Sequence, residues 1–103
     1  FGDENMRLIT LEQIADLPEN TYELIDIRSE ISYSFGTIQN AVNIPDVVSA
    51  AKLGKLSKDK KLILFCMHGH QSKDLADELY EMGFEAYSLE NGYGAWLKKY
   101  CDK

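Results

Sequence analysis

The segment Cys66-Met67-His68-Gly69-His70-Gln71-Ser72 holds the residues best suited to chemistry. It joins the apolar run Leu62-Ile63-Leu64-Phe65 to an amphipathic stretch from Ser72 to Met82, with Leu75, Ala76, Leu79, Tyr80 and Met82 on one side. Too polar to be buried and too short to wander, it must be a tight strand-to-helix loop. Such a loop wraps its backbone around its first side chain, and the helix N-terminus adds roughly half a positive charge at the same place. Both effects favour thiolate over thiol, and comparable sites lower a cysteine pKa from ~8.5 to between ~3.5 and ~7.5. Gly69 supplies a mid-loop residue free to take positive φ. The chemistry would be nucleophilic attack by Cys66, with the backbone from Met67 to Ser72 as an anion cradle and Ser72 also capping the helix.

Other uses of these residues compete with that one. A cysteine ending an apolar strand often serves only as a small buried hydrophobe. Cys66, His68 and His70 are all metal-ligand types. Their spacing on one tight turn does not match the usual zinc patterns and no second ligand pair occurs, so neither a metal nor a cofactor is expected. A thiol-protease dyad is disfavoured because such Cys and His partners lie far apart in sequence. His68 and His70 remain open between tuning Cys66, contacting a donor and being solvated.

The elements that must position this loop follow from the apolar pattern. Arg7-Leu8-Ile9 is a short edge strand, and Thr10 is placed to cap a helix carrying Leu11, Ile14, Ala15 and Leu17 that stops at Pro18. Tyr22–Ile27 and Lys61–Cys66 are buried strands. Ala41–Ile44 and Glu85–Leu89 are shorter ones. Ser29–Phe35 is a short helix or turn closed by Gly36; Val47, Val48, Ala51 and Leu53 mark a brief helix, and Tyr93–Tyr100 a last one containing Trp96. Strands alternating with helices imply an α/β domain, a central parallel sheet with helices on both faces. Ligands then bind outside the carboxyl ends of the strands, where Asp26-Ile27-Arg28 and Cys66 fall.

Composition narrows the classes. At 103 residues, 45% hydrophobic and 27% charged, the chain fits one ordered domain spanning 1–103. A net charge of −6 argues against a nucleic-acid partner. The sign is uneven, −7 over residues 1–51 and +1 over 52–103. Lys52, Lys55, Lys58, Lys60 and Lys61 are expected to be a solvated connection, with a docking patch for an acidic partner as the alternative. No apolar run is long enough to span a bilayer and no signal peptide is visible, so no membrane partner is expected. Two cysteines suit a reduced, cytoplasmic protein, with Cys101 a bystander thiol. The chain opens at Phe1 rather than methionine, which keeps an origin in a longer chain with a fused domain as an alternative.

Four pieces in order, Leu24-Ile25-Asp26-Ile27-Arg28, Gly36 through Pro45, the Cys66 loop and Asn91-Gly92-Tyr93-Gly94-Ala95-Trp96, make the chain resemble the rhodanese-like family over nearly its whole length. The Cys66 loop is most similar to small single-domain thiosulfate sulfurtransferases with a Cys-x-His-Gly loop. The resemblance implies a three-layer rhodanese-like fold and a sulfurtransferase in which Cys66 carries a persulfide. The donor would be thiosulfate or a persulfide, and the acceptor a small thiol, cyanide or a protein. A non-autonomous relay or regulatory domain serving a fused or bound enzyme is the alternative. A phosphatase or arsenate reductase is disfavoured, because the loop is short and Ser72 stands where the dual-specificity phosphatase pattern has arginine. Within the family, Gln71 replaces a common arginine, Thr37 a common histidine, and Asn40 and Asn91 common glycines. Asparagine tolerates left-handed backbone, so the fold should survive. Asp26 and Arg28 would pin the loops around the site, and Trp96 would pack.

Overall fold

A computed structural model describes residues 7–101. In chain order the elements are β1 (Leu8–Ile9), α1 (Leu11–Ala15), β2 (Tyr22–Asp26), α2 (Glu30–Phe35), β3 (Val42–Asn43), α3 (Val47–Lys52), β4 (Lys61–Phe65), α4 (His70–Glu81), β5 (Ala86–Leu89) and α5 (Gly92–Tyr100). The five strands form one sheet in the order β1-β5-β4-β2-β3, and every pairing is parallel.

The central strand is the most apolar one, as burial on both faces demands. Leu62, Ile63, Leu64 and Phe65 of β4 are all fully buried, each contributing ~1.5–3 kcal/mol relative to exposure. Their alternation splits the core in two. Leu62 and Leu64 pack with Val47 and Ala51 of α3 and Ala76 and Leu79 of α4. Ile63 and Phe65 pack on the other face with Ile14 of α1 and Tyr93 of α5. Helices therefore cover both sides of the sheet, and Cys66, next after β4, falls on the α3–α4 side.

Local chemistry explains the ends of the elements. Thr10 and Gln13 form a reciprocal capping box on α1. Ser29 caps α2, and Asp46 caps α3 through its side chain. Asn40 and Asn91 both take left-handed backbone, with φ 72° and 64°.

Three expectations need correction. Helix α4 starts at His70, not Ser72; its N-cap is Gly69 with φ 94°, and Ser72 lies inside the first turn, fully buried. Tyr80 does not join the core face of α4: it is 54% exposed and lies against the Arg7 guanidinium, 4.1 Å from its ring centroid. Leu53 ends α3 at 69% exposure. Helical spacing does not locate the far side of a helix that packs on one layer only. Of the five lysines, Lys60 and Lys61 pair loosely with Glu23 and Glu85 at 4.0 and 3.5 Å on the surface.

These burials set a contrast. Leu79→Ala should lower unfolding free energy by ~2–5 kcal/mol, whereas Leu53→Ala should change it by no more than ~0.5 kcal/mol. Urea denaturation followed by circular dichroism measures both.

Candidate active site

β4 delivers Cys66 to the carboxyl edge of the sheet, and α4 begins four residues later. Between them the chain folds over the sulfur. The Gly69 N–H donates to Cys66 Sγ at 3.2 Å and the Ser72 N–H at 3.4 Å. Ser72 Oγ lies 3.5 Å from the same sulfur. The thiol sits at the floor of the loop with 6% of the residue exposed. Met67, His68, His70 and Gln71 stand outward, while Gly69 and Ser72 are buried. The two amides in hydrogen-bond contact with the sulfur belong to those buried positions.

A second set of hydrogen bonds holds the loop in that shape. The N–H groups of Tyr93 and Gly94, in the first turn of α5, donate to the carbonyls of Cys66 and Met67 at 2.7 and 2.9 Å. Those bonds anchor the Cys66 and Met67 carbonyls to α5 and so fix the path of the chain into Gly69. The approach is close enough to require glycine at 92. A Cβ there would overlap the Cys66 carbonyl and come within 2.8 Å of the Met67 carbonyl and 2.9 Å of the Gly69 nitrogen, and its φ is 60°.

Asp26 and Arg28 support the site from beneath. Asp26 is fully buried and forms an ion pair with Arg28 at 2.7 Å. Its carboxylate also accepts from the Arg28 N–H at 2.9 Å and from Thr37 Oγ1 at 2.8 Å. Arg28 Nη2 donates in turn to the Gly36 carbonyl, and its guanidinium lies 4.2 Å from the Tyr93 ring centroid. The pair therefore reaches Cys66 through Tyr93 and its backbone, not by direct contact. Trp96 stacks on Tyr93 with centroids 5.9 Å apart. Cys101 is exposed and unpaired by any disulfide.

Opposed influences act on the Cys66 thiol. Burial pushes its pKa up, and the Ser72 hydroxyl and the amides of Ser72, Gly69 and Gln71 pull it down. The hydrogen bonds prevail, leaving it below the ordinary cysteine value. His68 and His70 are exposed and are not among the hydrogen-bond partners of the sulfur. They line a groove of about 840 Å³ with Thr10, Glu90, Lys98 and Lys99. Among the described residues, no group of three or more His, Cys, Asp or Glu is placed to hold a metal ion.

Three contributors escaped sequence reasoning. Ser88 of β5 is fully buried with its Oγ 2.7 Å from Ser72 Oγ; a polar residue inside the apolar run Ala86–Leu89 was the available signal. Asn43 donates to the carbonyls of Asp26 and Arg28 at 3.0 Å each. Gly92 stands in a recognisable motif, but only the fold shows what it approaches.

The rhodanese-like domain family model matches residues 10–99. The chain belongs to that family. It is 32% identical over 90 residues to the thiosulfate sulfurtransferase GlpE of Shewanella oneidensis, an alignment covering 85% of this chain and 89% of the relative. Against GlpE of Pseudomonas aeruginosa it is 30% identical over 98 residues, covering 94% and 89%. A rhodanese-related protein of Thermoplasma volcanium superposes with TM-score 0.79 at 28% identity, covering 91% of this chain and 93% of that one. The human single-domain sulfurtransferase TSTD1 shares the fold, with TM-score 0.76 at 24% identity over 90% and 96% of the two chains. At the level of enzyme class, the chain is a rhodanese-type sulfurtransferase.

Iodoacetamide alkylation of Cys66 should titrate with a midpoint below the ~8.5 of free cysteine: the favoured anion keeps reactivity as pH falls through the ordinary value and loses it only lower. Gly92→Ala should move that midpoint back toward free cysteine, because a methyl group at 92 displaces the Cys66 and Met67 carbonyls and the Gly69 nitrogen, one of the donors to the sulfur. Rate against pH in each protein measures both.

Proposed function

We propose that Cys66 is the nucleophile and sulfur carrier of this enzyme, taking a sulfane sulfur from thiosulfate or a persulfide and passing it to a thiophilic acceptor. The observation that carries the reading is the Cys66 sulfur held by the Gly69 and Ser72 amides at the N-terminus of a 12-residue helix. In the first half-reaction the Cys66 thiolate attacks the outer sulfur of the donor. A new S–S bond forms, the donor's own bond breaks, and sulfite or a thiolate leaves with the electron pair. In the second, a thiolate or cyanide attacks the outer sulfur and Cys66 departs as thiolate. The amides stabilise that anion at the start of one step and the end of the other. Cys66 returns to its starting state, and no cofactor is consumed.

Met67 to Ser72 then form the rim and cradle, and Asp26 and Arg28 position it. The loop holds no arginine. A dianion such as thiosulfate would rely on helix and backbone dipoles, Gln71, and Lys73 on the first turn of α4. A persulfide donor asks for less anion capture and is favoured for that reason, which also suits a sulfur relay to a bound enzyme. A reduced compartment such as the cytoplasm fits a carrier that must keep its thiol.

Incubation with thiosulfate or a cysteine persulfide should add one sulfur atom to the intact mass, removed by cyanide. Cys66→Ser should keep the fold and lose the adduct; an adduct surviving in that variant would mean that another residue carries sulfur. Gln71→Arg adds a charged hydrogen bond of ~1.5–3 kcal/mol, so the thiosulfate KM should fall roughly ten- to a hundredfold. Steady-state kinetics with cyanide as acceptor measures it.

A further inference from the structure

Beneath the loop, the Ser72 hydroxyl that favours the thiolate meets a second buried hydroxyl, that of Ser88. Ser72 Oγ is 3.5 Å from Cys66 Sγ and 2.7 Å from Ser88 Oγ, and both serines are fully buried. Ser72 is the only hydrogen-bond partner of the Ser88 hydroxyl among the described residues. Each hydroxyl carries one hydrogen, which decides how the chain Ser88–Ser72–Cys66 can be ordered.

With Cys66 protonated, three hydrogens share two contacts, so one buried donor goes without an acceptor, a costly arrangement. With Cys66 ionised, two hydrogens meet two contacts. Ser88 O–H donates to Ser72 Oγ, and Ser72 O–H donates to the sulfur. With Ser88 donating to one lone pair of Ser72 Oγ, the Ser72 hydrogen is left for the thiolate. Polarisation along the chain strengthens that last bond.

We propose that Ser88 is a positioning residue for Cys66, acting only through Ser72 to hold the Ser72 hydroxyl on the sulfur as a donor. Its place in sulfur transfer rests on Cys66 being the carrier; its effect on the thiol does not. In transfer, the same donor meets Cys66 when it departs as thiolate from the persulfide, and a thiol of lower pKa leaves faster.

Ionisable groups sit on each element next to the loop. They are His68 on the loop, His70 and Lys73 on α4, Asp26 ending β2 and Arg28 after it, Tyr93 on α5, Asp46 before α3 and Glu90 after β5. All are retained in the variants below, so differences between pH profiles isolate the two hydroxyls.

The test is the pH dependence of iodoacetamide alkylation at Cys66 by intact mass, in a Cys101→Ala background. Ser88→Ala should raise the midpoint by roughly half a unit and Ser72→Ala by about one unit or more. The double variant should match Ser72→Ala alone, because Ser88 has no other route to the sulfur. An unshifted midpoint in Ser88→Ala, or shifts that add in the double variant, overturns the proposal. Should Ser88→Ala not fold, Ser88→Thr and Ser88→Val make the same comparison with one hydroxyl exchanged for a methyl; equal midpoints in that pair are equally fatal. Persulfide loading is measured on the same proteins. Shifted midpoints without an added sulfur sink the carrier reading and leave Ser88 standing, while normal loading with unshifted midpoints sinks Ser88 alone.

Discussion

Two hydrogen bonds from the first turn of α5 to the carbonyls of Cys66 and Met67 hold the site together. Anchoring the Cys66 and Met67 carbonyls sets the path by which the chain reaches Gly69 and Ser72, whose N–H groups donate to the sulfur. The sulfur then meets donors whose orientation was settled on folding, and forming an anion there needs little rearrangement. The left-handed Asn91 and Gly92 let α5 start close enough to make those bonds.

The buried pair of Asp26 and Arg28 serves the same geometry from the other side of α5. As a source of stability such a pair is weak, since desolvating two charges offsets most of their attraction. Its worth here is positional. The Asp26 carboxylate gathers the Arg28 backbone, the Arg28 guanidinium and Thr37, and the guanidinium spans from the Gly36 carbonyl to the Tyr93 ring. The loop after β2 and the loop between α2 and β3 are thereby held to each other, and the start of α5 is held to them.

Around the thiol, dipoles replace charges. The influences that lower its pKa are a hydroxyl and three amides, working against burial. Fixed dipoles in a partly dry pocket stabilise a single negative sulfur well, because little solvent competes for it. They are less suited to capturing a dianion from water, where long-range charge attraction does more. With Gln71 in place of a charged side chain, the loop presents dipoles suited to the first task.

Much of this was legible in the residues. The apolar run Leu62–Phe65 had to be a central strand, Thr10 a cap, and Cys66-Met67-His68-Gly69-His70-Gln71-Ser72 a tight turn into a helix, because spacing and polarity are local properties of the chain. The start of α4 was not legible: Gly69 in left-handed backbone opens the helix at His70, and Ser72 thereby changes from a cap into a buried neighbour of sulfur. Nor was Ser88. Its role exists because β5 pairs with β4, setting Ser88 opposite Leu64 and under Ser72. Sequence alone determined which elements form and which side chain heads the loop, since both follow from short-range steric and hydrophobic patterns. The tertiary structure decided which distant groups meet that side chain, since the strand order β1-β5-β4-β2-β3 is selected by burying both sheet faces at once, a condition no single segment carries.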